Sequence, residues 1–203
     1  MKLEADTRRP DFDKAQNVAT DLLLAQTIST LHVNVTDLQF NRPIVIDSVQ
    51  NFAQITNRPL SNFTCEQFNG ACVVDYRRCS VVLFDERENN PCRTHWGIAH
   101  EIGHLYLGHQ KDGDPEEIEA HFFAAQLLMP EIVLREIERR KGSISALEIA
   151  DYFQVSYTSA YKRIETLNRR GCWSYADRDK KLLEKFMPYI EEKIFRLSKS
   201  FVG

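Results

Sequence analysis

The chain has 203 residues, 43% of them hydrophobic, which is enough to bury a core without disulfide staples and fits one domain or one domain with a small appendage. A formal charge of -3 and a pI near 6.1 leave no global basic field for holding nucleic acid. The cysteines at 65, 72, 79, 92 and 172 are odd in number and include no C-x-x-C pair, which argues against both a disulfide framework and a thiolate zinc site. They read as reduced, buried thiols; a sharper alternative has Cys72 and Cys79 facing each other across a hairpin as an oxidant sensor. The N-terminal segment is too charged for a secretory signal, and no apolar run approaches the roughly 20 residues of a membrane span, so the expected location is the cytoplasm with no membrane partner.

Asp11 is placed to cap a first helix, in which Phe12, Ala15, Val18, Ala19, Leu22 and Leu23 recur at helical spacing, running to about residue 30. A shorter helix is expected from Ile46 to Ile55, started by Asp47 or Ser48. Two β-type runs, 71–76 and 79–84, flank Arg77 and Arg78 and read as an antiparallel pair, with a weaker strand near 59–64. Helical periodicity resumes from about Thr94 to Gly108. A polar turn at 110–113 then leads into a helix capped by Asp114, with Pro115 in its first turn and Pro130 closing it. Beyond Gly142, a helix over 144–153, a tight turn at Gln154 and Val155, and a second helix capped by Ser156 form a helix-turn-helix pattern. The tail from about Asp177 to Ser198 is helical, and Pro188 is expected to kink or split it.

Chemistry concentrates at His100, Glu101 and His104, an H-E-x-x-H motif in the helical stretch. The i,i+4 spacing puts both imidazoles on one face, about 6 Å apart, suited to a single tetrahedral zinc. Glu101 then stands beside the metal without binding it. There it can take a proton from a zinc-bound water and so direct hydroxide onto a peptide carbonyl. The alternative, two unlinked histidines on a surface helix, fits poorly with Ile98, Ala99, Ile102, Leu105 and Leu107 around them, since histidines in a buried helix need partners.

A catalytic zinc of this kind wants a third protein ligand. His109 does not fit the extended metalloprotease pattern, which would need Gly at 107 and His at 110, where this chain has Leu107 and Gln110. Glu117 on the returning helix matches the height of His104 and shares its face with Ala120 and Ala124, small residues that permit close helix approach. Glu117 also sits where a capping box beginning at Asp114 would place its acid, so ligand and cap remain competing roles, with Glu119 the fallback ligand. His121, one turn beyond Glu117, is a candidate to orient it. Tyr106, His109, Arg93 and His95 are, with His121, candidate donors to a tetrahedral oxyanion.

The segments IAHEIGH (98–104) and EIEAHFFAAQLLMP (117–130) together resemble the ImmA/IrrE family of metallopeptidases, and the similarity extends over most of residues 11–170. The resemblance implies zinc on His100, His104 and Glu117, with Glu101 as general base. This chain departs from the family pattern in having His121 in place of the usual Asn, and Trp96 and Gly97 in place of Phe-Thr. The implied fold is α+β: a mostly helical zincin-like metallopeptidase with a small antiparallel sheet, followed by a helix-turn-helix-like segment. Residues 1–142 would form the metallopeptidase domain and 143–203 the helix-turn-helix-like and C-terminal helical region. The implied activity is a zinc-dependent endopeptidase that cleaves a helix-turn-helix transcriptional repressor of a mobile element, prophage or stress regulon. A substrate strand is expected to add to the 79–84 run as a sheet edge.

In the rival reading, the protein is a metal-stabilised regulator that binds DNA or a repressor without cleaving anything. Tyr157, Thr158, Ser159, Lys162 and Arg163 would then face a major groove, with Arg169 and Arg170 on phosphates. Residues 144–175 carry few net positive charges, so a packing unit that supports the peptidase or receives its substrate is favoured over direct DNA binding. Glu101 favours the enzyme, because a purely structural metal site has no use for a general base beside its first histidine.

Overall fold

The computed structural model describes residues 8–63, 70–110, 113–171 and 175–200, and in the last of these the side chains only as far as residue 194. Contacts divide the chain into two compact units: residues 1–16 with 34–124, and residues 17–33 with 125–203. This division differs from the 1–142 and 143–203 split expected from the sequence. The helices after residue 124 take up the early segment 17–33 as part of their own core.

The first unit contains a three-stranded sheet of β1 (Ile44–Ser48), β2 (Ala71–Tyr76) and β3 (Cys79–Phe84), ordered β1-β3-β2. β2 and β3 form the expected antiparallel hairpin, turning through Arg77 at φ 60°. β1 runs parallel to β3, so the sheet is mixed rather than antiparallel. The sequence reading made residues 46–48 the start of a helix. Instead Ser48 ends the strand and caps helix α2 (Val49–Thr56), its hydroxyl accepting from the Asn51 N–H at 3.0 Å. A five-residue strand with three β-branched residues, Ile44 to Ile46, is too short for periodicity to separate strand from helix, and pairing with β3 decides it. The weak strand expected at 59–64 is a 3-10 turn over Leu60–Asn62, entered through Pro59 at φ -65°; residue 64 lies outside the described residues.

α2 covers one face of the sheet, where Val49, Phe52, Ala53, Phe63, Val81 and Leu83 form a buried cluster. Val82, pointing to the other face, is also buried, and α3 (Pro91–Leu107) packs against β2 and β3. α4 (Asp114–Leu128) returns alongside α3. Their closest approach is at Gly103, where a Cβ would stand 3.2 Å from the Ala120 carbonyl oxygen and 3.0 Å from the Phe123 ring. Cys72 pairs with Leu83 and Cys79 with Tyr76, so these two thiols are not opposite one another and the oxidant-sensor alternative fails on register. Cys65 and Cys172 lie outside the described residues.

α1 (Phe12–Leu24) stops earlier than expected, because the Gln26 side chain folds back to donate to the Leu22 carbonyl at 3.0 Å. α5 (Glu131–Lys141), not anticipated from the sequence, has an acid in its first turn, three basic residues in its last and Gly142 as a left-handed cap. α6 (Ala146–Phe153) and α7 (Tyr157–Arg170) form the expected helix-turn-helix. Gln154 takes φ 53° at the turn, and Ser145 and Glu148 close a capping box on α6. α8 (Asp177–Ser200) is one helix through Pro188 rather than two.

Arg163 is fully buried beneath α7, donating to the Met129 carbonyl at 3.1 Å and to Gln126, so it does not face a DNA groove as the rival reading required. Burial pulls its guanidinium down to about 10, against the opposing pull of Glu131.

Candidate metal centre

α3 begins at Asn90, whose side chain accepts from the Arg93 N–H, and Pro91 occupies the first helical position. Three turns on, His100 and His104 project from one face with their Nε2 atoms 3.0 Å apart. Across from them, α4 presents Glu117, with Oε2 3.3 Å from His100 Nε2 and Oε1 3.3 Å from His104 Nε2. Both carboxylate oxygens face the histidines. The helix starts at Asp114, with the Glu117 N–H bonded to the Gly113 carbonyl, so the cap position moves to Gly113.

Donors on one tetrahedral zinc, with bonds of about 2.0–2.1 Å, lie about 3.3 Å from each other. The separations of 3.0, 3.3 and 3.3 Å match that edge length without rearrangement. Burial pulls His100 down to about 3, and the neighbouring His121, His104 and His109 lower it further, so the ring is neutral and available as a ligand. Its Nδ1 is buried and has no hydrogen-bond partner among the described residues. The three groups therefore bring two imidazoles and a carboxylate together in a cluster whose donor set suits a cation.

His121 also belongs to this neighbourhood. One donor atom each from His100, Glu117 and His121 falls within 4.8 Å of the others. That grouping omits His104, whose Nε2 lies as close to the Glu117 carboxylate as that of His100 does. The His121 ring lies 4.3 Å from that of His100, and its Nδ1 accepts from Trp96 Nε1 at 3.4 Å. Its Nε2 then carries the proton and can donate. Glu101 follows His100 on α3 and is half buried.

Of the other candidates, Tyr106 turns elsewhere, with its hydroxyl on Asn41 at 3.3 Å and its ring beneath Arg42 and against Phe123. Arg93 faces Glu88 at 3.6 Å. His109 uses both ring nitrogens inside the protein, Nδ1 toward His104 Nδ1 at 3.0 Å and Nε2 toward Glu119 Oε2 at 2.9 Å, so it cannot be an oxyanion donor. Glu119, the fallback ligand, is fully buried and faces away from the histidine pair. It accepts from Arg8 Nη1 at 2.7 Å and from the Asp11 N–H at 2.6 Å. Burial pushes its carboxyl up, but Asp11, Arg8 and His109 together hold it below the ordinary range. Nothing local in the sequence marks Arg8 for this role. The Trp96–His121 contact was foreshadowed only by both positions departing from the family pattern.

Residues 66–165 match the family model described as the IrrE N-terminal-like domain, Peptidase_M78. The matched span includes α3, α4, α5, α6 and the first part of α7. No match was found among curated proteins. No helix among the described residues is long and apolar enough to cross a membrane.

Proposed function

The chain belongs to the ImmA/IrrE family of metallopeptidases, and from that premise we propose that it is a zinc-dependent endopeptidase with His100, His104 and Glu117 as ligands and Glu101 as general base. The observation that carries this reading is the convergence of His100 Nε2, His104 Nε2 and the Glu117 carboxylate at tetrahedral edge spacing. Zinc held there would lower the pKa of a coordinated water toward about 7 and polarise a peptide carbonyl. Glu101, beside the first ligand, would serve as the general base, taking a proton from the attacking water and passing it to the leaving amine. His121, next to His100 and with its Nδ1 on Trp96, is the donor we assign to the developing oxyanion, since Tyr106, His109 and Arg93 are engaged elsewhere.

The substrate is a protein segment bound in extended form along a sheet edge. β3 cannot accept it, because β1 and β2 already pair with both of its sides. Among the described residues, the outer strands of the sheet are β1 and β2. The resemblance narrows the substrate to a helix-turn-helix transcriptional repressor, and the expected setting is the cytoplasm. Burial of Arg163 removes one basic residue from the rival DNA-binding surface and weighs against that reading.

The test is metal content per chain in purified wild type, Glu101→Gln and Glu117→Gln. About one zinc in wild type and in Glu101→Gln, with sharp loss in Glu117→Gln, is the expected pattern. Glu101→Gln should lose proteolysis of the repressor by a factor of about 10²–10⁴ while keeping its metal. A folded wild type that takes up no zinc when zinc is offered would sink the reading.

A further inference from the structure

We infer that His109 and Glu119 are positioning residues that fix the tautomer of His104 from behind, so that its Nε2 lone pair is held toward the metal. This rests on the ligand assignment proposed above, but the chain of reasoning starts at the opposite end, with Glu119.

The Glu119 carboxylate is fully buried and accepts from Arg8 on both of its oxygens and from the Asp11 N–H. A carboxylate so paired offers only acceptors, so the atom 2.9 Å from its Oε2, His109 Nε2, donates to it. With Nε2 donating to Glu119, His109 Nδ1 is left to accept. Its neighbour at 3.0 Å is His104 Nδ1, which therefore donates. His104 is left with its lone pair on Nε2, the atom that faces His100 and Glu117. Each hydrogen in the series has one place to go, and the direction is imposed by a charge remote from the metal.

The local backbone makes the arrangement possible. Gly108 ends α3 in a left-handed conformation at φ 74°, and the His109 N–H turns back to the His104 carbonyl at 3.1 Å. That reversal lays one imidazole edge-on to the other, with ring centroids 4.9 Å apart. α4 then carries both carboxylates: Glu117 meets the Nε2 side of His104, and Glu119 reaches its Nδ1 side through His109. Partners of this kind typically change metal affinity by about 10–100-fold.

The experiment compares zinc affinity, by competition with a chelator, in wild type, His109→Ala, His109→Asn and Glu119→Gln. Long-range proton–nitrogen NMR on metal-free wild type reads the ring tautomers. We expect His104 as the Nδ1–H form, zinc binding about 10–100-fold weaker in His109→Ala, and partial recovery in His109→Asn, whose Oδ1 can accept from His104 Nδ1. Glu119→Gln should fall between the wild type and His109→Ala. A folded His109→Ala that binds zinc within about twofold of wild type, or His104 found as the Nε2–H form, overturns the inference. If His109→Ala does not fold, His109→Asn and the wild-type tautomers decide the matter. A wild type with the expected tautomer but no zinc uptake would refute the ligand assignment and leave the hydrogen-bond series intact.

Discussion

Glu148 shows how much one side chain can organise outside the metal centre. Its carboxylate accepts from the Ser145 N–H at 2.9 Å, closes the capping box on α6 and pairs with Lys141. Burial pushes Glu148 up, yet Lys141 and Ser145 outweigh it and bring the group down to about 2 from 4.5. The folded-state value is the lower one, so this stabilisation is fully present above about pH 4.5 and is lost as the pH falls through 2. Because the carboxylate is about a third exposed, solvent screening limits its worth: Glu148→Gln should cost about 0.5–1 kcal/mol near neutral pH, with a deficit that closes on acidification. Urea melts of both proteins at pH 7 and pH 3 would show it. At this scale the sequence was most readable where chemistry is strictly periodic. His100, Glu101 and His104 declare themselves by spacing, and Glu117 by its height on the returning helix. Arg8 did not, because a contact across more than a hundred positions leaves no local trace.

Among the elements, the pairing of α3 with α4 sets the metal geometry. Gly103 provides the close approach, with the backbone of Ala120 and the ring of Phe123 directly over the missing Cβ. A large side chain there has no space to enter, so Gly103→Leu is expected to destabilise the protein by about 1–3 kcal/mol. By moving Glu117 away from the histidines it should also weaken zinc binding. Thermal melts with and without zinc separate the effects, since a purely local strain would leave the zinc-induced rise in Tm unchanged. The helices were legible from the 3.6-residue period and their caps, as at Ser156 and Asn90. β1 was not, because its neighbour in space is β3, more than thirty positions away, and a strand's identity lies in its partner. The same omission led to β3 being read as an edge. With β1 in place it is the central strand.

For the molecule as a whole, the early segment 17–33 is committed to the later helices. Lys185 Nζ donates to the Leu24 and Gln26 carbonyls, both at 2.6 Å; Tyr189 bonds the Ile28 carbonyl at 2.9 Å; and His32 Nδ1 meets the Phe153 carbonyl at 3.0 Å. A chain cut after residue 142 would leave those carbonyls and the apolar face of Leu22 and Leu23 without their partners. We expect such a fragment to lack a cooperative thermal transition, and a sharp melt for residues 1–142 alone would disprove this. The sequence suggested a boundary at 142 because the helix-turn-helix pattern begins just beyond Gly142. What it could not show was that a segment more than a hundred positions earlier belongs to the same core.

The reversal at Gly108 fixes the length of chain between His104 and His109. One residue added there would rotate His109 off the imidazole it abuts and break its reach to Glu119. Changes in loop length are therefore barred from this short stretch, where a single inserted residue would uncouple Glu119 from His104.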